Sequence, residues 1–312
     1  MKAFITGLSG QDGSYLAEYL ESKGYEVHGL VRRSAAANLD NLKNTNAIFH
    51  YGDICDESSI YQAIKDVMPD EVYHLAAQSF VKMSFITPVN TADITALGTV
   101  RMLETLRVLK PDTKFYNAGS SEMFGAVPPP QSIDTPFHPI SPYSVAKVYA
   151  HWITQFYRET YNMFAVNGIC FNHESPRRGI EFVSRKVCRG VADIAKGKSK
   201  ELRLGNLAAK RDWSHAKDIV RGMHMMMQHP TPDNWILASG EARTVEDFVR
   251  IAFEHVGLNW KDYVVIDPAY YRPNEVNHLL GDAERTKKEL GWEPEYSFES
   301  LVKEMMDIEL LR

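Results

Sequence analysis

The chain has 312 residues, 44% hydrophobic and 24% charged, with a formal net charge of −5. The length allows two lobes or one large domain over a substantial core, and the acidic balance argues against a general nucleic-acid or anionic-membrane surface. No apolar run approaches the roughly 18 residues of a membrane span, so the expectation is a soluble, cytoplasmic protein in which any anionic ligand needs a local basic site.

Taken in order, short apolar runs alternate with helical patterns, the signature of a parallel α/β sheet. Strands are predicted at 2–6, 26–31, 47–51, 71–75, 114–118 and 165–171, with helices at 14–23, 58–67 and through 100–109. Ser141-Pro142 offers an N-cap followed by proline at the first helical position, which predicts a helix over 143–161. Right-handed crossovers between such strands make a doubly wound parallel (Rossmann) sheet the natural α/β fold. After residue 172 the pattern is less regular: helices at 182–196, 216–228 and 245–256, strands at 202–204, 235–239 and 263–266, then two terminal helices. The expected division is a nucleotide-binding domain over 1–171 plus about 212–240. A smaller, interleaved α/β substrate lobe then takes 172–211 and 241–312. Met223, Met225, Met226 and Met227 read as packed core rather than a functional stripe. Chain entry directly into Lys2-Ala-Phe-Ile-Thr6 leaves no room for a signal peptide. Cys55, Cys170 and Cys188, odd in number and without C-x-x-C spacing, read as reduced, buried thiols.

Thr6-Gly-Leu-Ser-Gly-Gln-Asp-Gly13 lies between the first strand and its helix. In that setting Gly7 permits a tight turn, Gly10 lets backbone approach a pyrophosphate, and Gly13 lets the helix pack close to the sheet. The helix N-terminus then faces phosphates with free N–H groups. Strand two runs into Val31-Arg-Arg-Ser34 with no carboxylate to hold a ribose 2′-hydroxyl. Arg32 and Arg33 suit a 2′-phosphate, which favours NADP over NAD; the competing reading is a solvated arginine pair on a loop. In Gly52-Asp-Ile-Cys-Asp56, Asp53 is the better candidate for the adenine amino group and Asp56 the better helix N-cap.

Gly119-Ser-Ser-Glu-Met-Phe-Gly125 precedes Tyr143-Ser-Val-Ala-Lys147. The Tyr-x-x-x-Lys spacing also occurs at Tyr19/Lys23 and Tyr61/Lys65, and position separates the three. Tyr19 lies roughly 12 Å down its helix from the ligand edge at 1.5 Å per residue. Tyr61 follows strand three, away from the switch in strand order, whereas Tyr143 begins the helix after strand five. Lys147, one turn on, is expected to lower the tyrosine pKa, and Ser120 to share the same substrate oxygen. Glu122, two residues after that hydroxyl, adds a candidate general base; the alternative is a surface charge.

These motifs resemble the extended short-chain dehydrogenase/reductase family and, within it, the GDP-mannose 4,6-dehydratase family, over essentially the whole chain. Further matches are Val31-Arg-Arg-Ser34, His74-Leu-Ala-Ala-Gln-Ser79, Phe171-Asn-His-Glu-Ser-Pro-Arg-Arg-Gly179, Leu204-Gly-Asn-Leu207, Lys210-Arg-Asp-Trp213 and Tyr271-Arg-Pro-Asn-Glu-Val276. The resemblance implies catalytic roles for Ser120 (where the family more often has threonine), Glu122, Tyr143 and Lys147. It implies cofactor contacts at Leu75 and Ala77 as well as at Tyr143 and Lys147. Ser79, Asn172, Lys186, Arg211, Arg272 and Glu275 fall on positions that hold the GDP-sugar. Arg211 and Arg272 could instead form structural salt bridges. Arg177, Arg178 and the Arg32-Arg33 loop are candidates for an intersubunit contact in a homodimer or homotetramer. The implied reaction converts GDP-mannose to GDP-4-keto-6-deoxymannose with recycled NADP. A related reductase or epimerase, or a silent NADP-binding protein, are the alternatives. His173 and His215 show no metal-ligand spacing, so no metal is expected.

Overall fold

The computed structural model of the chain describes residues 1–32, 39–271 and 274–312. The first half runs β1 (Lys2–Thr6), α1 (Gln11–Ser22), β2 (Glu26–Val31), β3 (Ile48–Tyr51), α2 (Glu57–Val67) and β4 (Glu71–His74). Three helices follow, α3 (Val81–Ile86), α4 (Pro88–Ala92) and α5 (Gly98–Leu109), the last two joined by a π-helical turn at Asp93–Leu97. Then come β5 (Lys114–Ser120), a 3₁₀ turn at Ser121–Phe124, α6 (Pro142–Tyr161) and β6 (Ala165–Cys170). The second half contains β7 (Asn172–Glu174), α7 (Val183–Ala195), β8 (Leu202–Leu204), β9 (Lys210–His215) and α8 (Ala216–Gln228). It ends with β10 (Asn234–Leu237), β11 (Ala242–Thr244), α9 (Val245–His255), β12 (Val264–Ile266), α10 (Glu284–Leu290) and α11 (Phe298–Leu311).

Seven parallel strands form the main sheet in the order β10-β6-β5-β4-β1-β2-β3. Every residue of β4 and β6 is buried, as expected where helices cover both faces. Edge strand β3 has no buried residue. Helix α2 shows the local logic: Asp56 caps it by accepting from the Ser58 N–H at 3.1 Å. Its Ile60, Ala63, Ile64 and Val67, spaced at helical period, face the core. Met223, Met226 and Met227 of α8 are buried in the core that also takes α1, with Met225 packed against it. The strand order reverses between β1 and β4, which opens a crevice at their carboxyl ends.

A second core lies among α7, α9 and α11, where Val187, Val191, Phe248, Phe253, Val302 and Met305 are buried. Above it sit a three-stranded sheet, β11-β9-β7, and the pair β12-β8. The chain leaves this small sheet at His215 and returns directly to the large one as α8. Among the described residues no helix is long and apolar enough to cross a membrane.

Several expectations need correction. Helix α1 starts at Gln11, inside the glycine-rich turn, because Gly10 serves as its extended N-cap residue. The sequence pattern shows neither α3 and α4, two short helices separated at Pro88, nor β7, β9 and β11, whose short strands are rich in polar and charged residues. Cys170 and Cys188 are buried free thiols, but Cys55 is only partly buried.

Candidate active site

The turn after β1 is shaped by its glycines. Gly7 has φ of +73°, and a Cβ there would stand 3.1 Å from the Ala76 nitrogen. Gly10 donates its N–H to the Gly7 carbonyl at 3.0 Å. A Cβ on Gly13 would lie 2.3 Å from the Gly7 oxygen and 2.7 Å from the Leu8 Cα. Gly13 therefore lets the helix start pack on the turn itself rather than on the sheet. Across the switch, the Thr6 hydroxyl accepts from the Leu75 and Ala76 N–H groups, each at 3.1 Å. Leu75 and Ala77 thus follow β4 directly beside the turn. Among the described residues no side chain caps the N-terminus of α1. That uncapped end, with the glycine cradle below it, suits the diphosphate of a dinucleotide.

At the flank of the turn, Arg32 is exposed just beyond β2; Arg33 lies outside the described residues. Asp53 spends one carboxylate oxygen on the Cys55 N–H at 2.9 Å, leaving the other oriented by that local turn.

Ser120, Glu122, Tyr143 and Lys147 are brought together at the carboxyl end of β5. Ser120 ends the strand and caps the 3₁₀ turn, accepting from the Glu122 N–H at 3.3 Å. This cap orients the serine hydroxyl at the strand end. The same hydroxyl acts on the Tyr143 phenol, lowering its pKa. Glu122 is only 9% exposed. Ser141 and Ser144 form a reciprocal capping box with Pro142 at the first helical position, which sets α6 so that Tyr143 enters the crevice. The Lys147 ammonium donates to the Ala118 carbonyl at 2.6 Å and lies 5.9 Å from the Tyr143 ring centre.

The electrostatics reverse one expectation. Burial pushes the Tyr143 phenol up to about 12; Ser120 opposes that rise and the Glu122 charge adds to it. Burial also pushes Lys147 down to about 8. The lysine was expected to lower the tyrosine pKa, but the groups that oppose burial at Tyr143 are Ser120 and Arg178, and burial sets the direction.

The other Tyr-x-x-x-Lys pairs do not reach this crevice. Lys23 lies over the Tyr19 ring at 5.3 Å at the far end of α1, and Tyr61 is exposed on α2.

The residues expected to hold a sugar nucleotide fall into two groups. Asn172 on β7 pairs with Trp213 on β9, next to Arg211. Arg211 is buried and forms an ion pair with Glu275 at 3.0 Å, so two of the expected ligands hold each other. In the second group, the buried Lys186 Nζ lies 3.2 Å over the Tyr270 ring and makes no hydrogen bond among the described residues. Lys82 joins the same segment by donating to the Ala269 carbonyl at 2.6 Å. Burial, reinforced by Lys82 and opposed by Asp267, pushes Lys186 down to about 8. Ser79 is exposed before α3, and Arg272 lies outside the described residues.

Three features escape sequence reasoning. Asp212 is fully buried and accepts from the Ser239 N–H and hydroxyl, both at 2.7 Å, and from the Gly240 and Gly281 N–H groups at 2.9 and 3.2 Å. Asp12 meets His173 at 2.8 Å. An acid inside a glycine turn that should attract anions was the available signal for that pair. Arg177 and Arg178 turn inward within the chain: Arg177 reaches Glu18 at 2.7 Å, and Arg178 reaches Glu174 at 3.1 Å and lies over the Phe182 ring. Among the described residues, no group of three or more His, Cys, Asp and Glu side chains could hold a metal ion.

The GDP-mannose 4,6 dehydratase family model matches residues 4–305. The chain belongs to that family. It is 52% identical to GDP-mannose 4,6 dehydratase 2 of Arabidopsis thaliana, covering 99% of this chain and 86% of the relative. Identity to the Homo sapiens GDP-mannose 4,6 dehydratase is 46%, over 99% and 92% of the two chains. Among solved structures, dTDP-glucose 4,6-dehydratase of Bacillus anthracis in complex with NAD superposes with a TM-score of 0.85 at 25% identity, covering 99% and 96%. Membership in this family agrees with a doubly wound sheet that carries Glu122 beside the Tyr143/Lys147 pair.

Proposed function

We propose that the protein is a lyase that converts GDP-mannose to GDP-4-keto-6-deoxymannose and water, using a bound nicotinamide dinucleotide. The observation that carries this reading is Glu122, a nearly buried carboxylate beside the Tyr143 phenol. A redox site needs only the hydroxyl, tyrosine and lysine; an elimination also needs a base. Curated relatives named GDP-mannose 4,6 dehydratase at about half identity over nearly the whole chain supply the substrate.

The division of labour follows from the site. The sheet-based lobe, residues 1–171 with about 212–240, holds the dinucleotide; the lobe of 172–211 and 241–312 holds the GDP-sugar. Gly7, Gly10 and Gly13 cradle the diphosphate, with Leu75 and Ala77 lining the switch and Asp53 at the adenine. Arg32 and Arg33, with no acid at the end of β2, favour NADP. The solved relative in complex with NAD supports a nicotinamide dinucleotide in general. When bound, the dinucleotide supplies a site that accepts hydride from C4 and returns it to C6. Tyr143 takes the proton of the C4 hydroxyl, with Ser120 hydrogen-bonding the same oxygen and Lys147 supporting the tyrosine. The 4-ketone makes the C5 proton acidic; Glu122 removes it and, once protonated, delivers the proton to the departing C6 hydroxyl, which leaves as water. Asn172, Lys186, Arg211, Arg272, Glu275 and Ser79 hold the nucleotide sugar, placing local cations on an acidic protein. We further place the protein in the cytoplasm, as a homodimer or homotetramer.

The test is single turnover with NADP⁺ and GDP-mannose in D₂O, comparing wild type with Glu122→Gln. Wild type should release one water and carry deuterium at C5, without lasting NADPH. The variant should still oxidise C4, so NADPH and the 4-keto sugar accumulate. Wild-type amounts of deuterated, dehydrated product from the variant would remove Glu122 as the base. Equal affinity for NAD and NADP would overturn the cofactor preference.

A further inference from the structure

Asp12 occupies the first turn of α1, the part of the dinucleotide cradle where a positive helix end should meet an anion. A carboxylate there competes with a diphosphate unless its charge is cancelled. His173, 161 residues later in β7, places its Nε2 2.8 Å from Asp12 Oδ2. Its other ring nitrogen, Nδ1, lies 2.7 Å from the Phe171 carbonyl oxygen.

Both partners of this ring accept only, the carbonyl in every state and Asp12 as the carboxylate that its lowered pKa favours. A neutral imidazole carries one N–H and one lone pair, so it can satisfy one of them and must turn a lone pair on the other at under 3 Å. Only the imidazolium, with two donors, fits both. Burial opposes that charge, but the Asp12 carboxylate overrides burial and raises the His173 pKa. Burial likewise opposes ionisation of Asp12, whose pKa is nevertheless lowered by His173. The other groups whose fields reach the pair are Arg178 on the connector, Lys147 on α6, Cys170 on β6 and Tyr116 on β5.

The pair also anchors a line of contacts between the two lobes. Gln11 Nε2 donates to Asp12 Oδ1 at 3.0 Å and to the His173 carbonyl at 3.1 Å. Its amide oxygen accepts from the Ser175 hydroxyl at 2.8 Å. The Arg177 guanidinium then reaches Ser14 at 3.0 Å and Glu18 at 2.7 Å, further along α1. Residues 171–178, which include Asn172, are therefore stitched along the helix that starts at the glycine turn.

We propose that Asp12 is a positioning residue that holds His173 as an imidazolium, so that the ion pair clamps residues 171–178 onto the first turn of α1 and cancels a negative charge facing the dinucleotide diphosphate. The part that concerns the diphosphate rests on the dinucleotide reading given above. The clamp is intact below the His173 pKa and is lost as pH rises through it. Deprotonation then costs one ring hydrogen bond and leaves Asp12 uncompensated, and dinucleotide affinity falls.

Two measurements on the full chain test this. Nitrogen-15 NMR of histidine-labelled protein reads the His173 ring directly. Two ring N–H groups at neutral pH and a midpoint above the ordinary value of about 6.5 are expected. Asp12→Asn keeps a hydrogen-bond acceptor without the charge, and should move the midpoint down by about one pH unit or more, while Asp12→Glu restores most of the shift. NADP⁺ affinity, titrated over the same range, should fall about tenfold through the wild-type midpoint, and that fall should move with the midpoint in Asp12→Asn. A purely structural role would lower stability and shift the ring midpoint while leaving the affinity profile in place. A neutral His173 at pH 7, or an affinity profile that stays in place in Asp12→Asn, overturns the inference. If the variant does not fold, the wild-type ring titration alone decides the charge. Failure of NADP⁺ to bind at any pH would instead strike at the cofactor reading, with the ring titration still deciding the pair.

Discussion

The turn after β1 and the small lobe are built by opposite means. The turn works through backbone: its three glycines remove side chains so that Gly7 can take a positive φ and α1 can begin against the turn. The small lobe works through side chains that meet from distant parts of the chain, as Arg211 meets Glu275 and as Asp212 gathers residues 239, 240 and 281. In the first, adding an atom is the damaging change. In the second, removing one is.

The largest expected effect therefore comes from a single methyl group. In Gly13→Ala the new Cβ would have to occupy space 2.3 Å from the Gly7 carbonyl oxygen, a backbone atom that cannot swing aside. Overpacking of this kind costs about 3 kcal/mol. We expect NADP⁺ affinity to drop roughly a hundredfold, at about 1.4 kcal/mol per tenfold, together with a lower melting temperature. Near-normal affinity measured by titration would mean that the turn tolerates side chains and that the contrast with the small lobe is misplaced.

Asp212→Ala is the converse. Truncation removes the acceptor of the Ser239, Gly240 and Gly281 N–H groups and of the Ser239 hydroxyl, which keeps the Glu241 carbonyl; of these donors the Gly281 N–H is buried and the others are partly buried. Buried donors left unpaired cost roughly 1–3 kcal/mol each before relaxation, so a loss of about 2–4 kcal/mol in unfolding free energy is expected. Chemical denaturation checks it, and a change below about 0.5 kcal/mol would show that the four bonds do not hold the lobe.

The same contrast explains what the sequence reveals. The glycine spacing, the Ser141-Pro142 start of α6 and the Ser120/Glu122/Tyr143/Lys147 set are each confined to short stretches, so local rules reach them. The main strands are legible because burial on both faces gives each a short apolar stretch, as in Ala3-Phe4-Ile5 of β1 and Ala165-Val166 of β6. Strands β7, β9 and β11 carry Asn-His-Glu, Lys-Arg-Asp-Trp-Ser-His and Ala-Arg-Thr, which show no such stretch. Their pairing is decided by tertiary contact. Residues 64 or 161 positions apart, as in Arg211–Glu275 and Asp12–His173, obey no local spacing, so only the fold reveals them as partners.

Arg211→Ala should have an intermediate effect, and one confined to the sugar nucleotide. Loss of charge-assisted bonds is worth roughly 1.5–3 kcal/mol, which predicts GDP-mannose binding weaker by about ten- to a hundredfold. Glu275→Gln sharpens the comparison, because it removes the partner's charge while leaving the guanidinium in place. If Arg211 serves substrate, only the first variant should lose most of its affinity. Equal losses in both, measured by calorimetry, would make the pair structural. A loss of NADP⁺ affinity alone in Arg211→Ala would reverse the assignment of the lobes.

The smallest effect belongs to Lys186 and depends on pH. Its Nζ is buried over the Tyr270 ring without a hydrogen bond among the described residues, and burial, with help from Lys82, brings its pKa down to about 8 against the pull of Asp267. A diphosphate is held by the ammonium, not the amine. The charged fraction is nearly complete below pH 7 and falls about tenfold per unit only well above 8, the ordinary behaviour of a single titrating site. GDP-mannose affinity in the absence of turnover should therefore weaken by up to about fivefold between pH 8 and 9, less if neighbouring cations compensate. Lys147 titrates in the same range, but its amine donates to Ala118 and acts on Tyr143, so it should alter the chemical step and not this binding. Lys186→Arg separates the two. A guanidinium stays charged across the whole interval, so the variant should bind GDP-mannose with a flat profile from pH 7 to 9 while turnover keeps its alkaline limb. A binding limb that survives in Lys186→Arg would place the titrating group elsewhere and take Lys186 out of the diphosphate site.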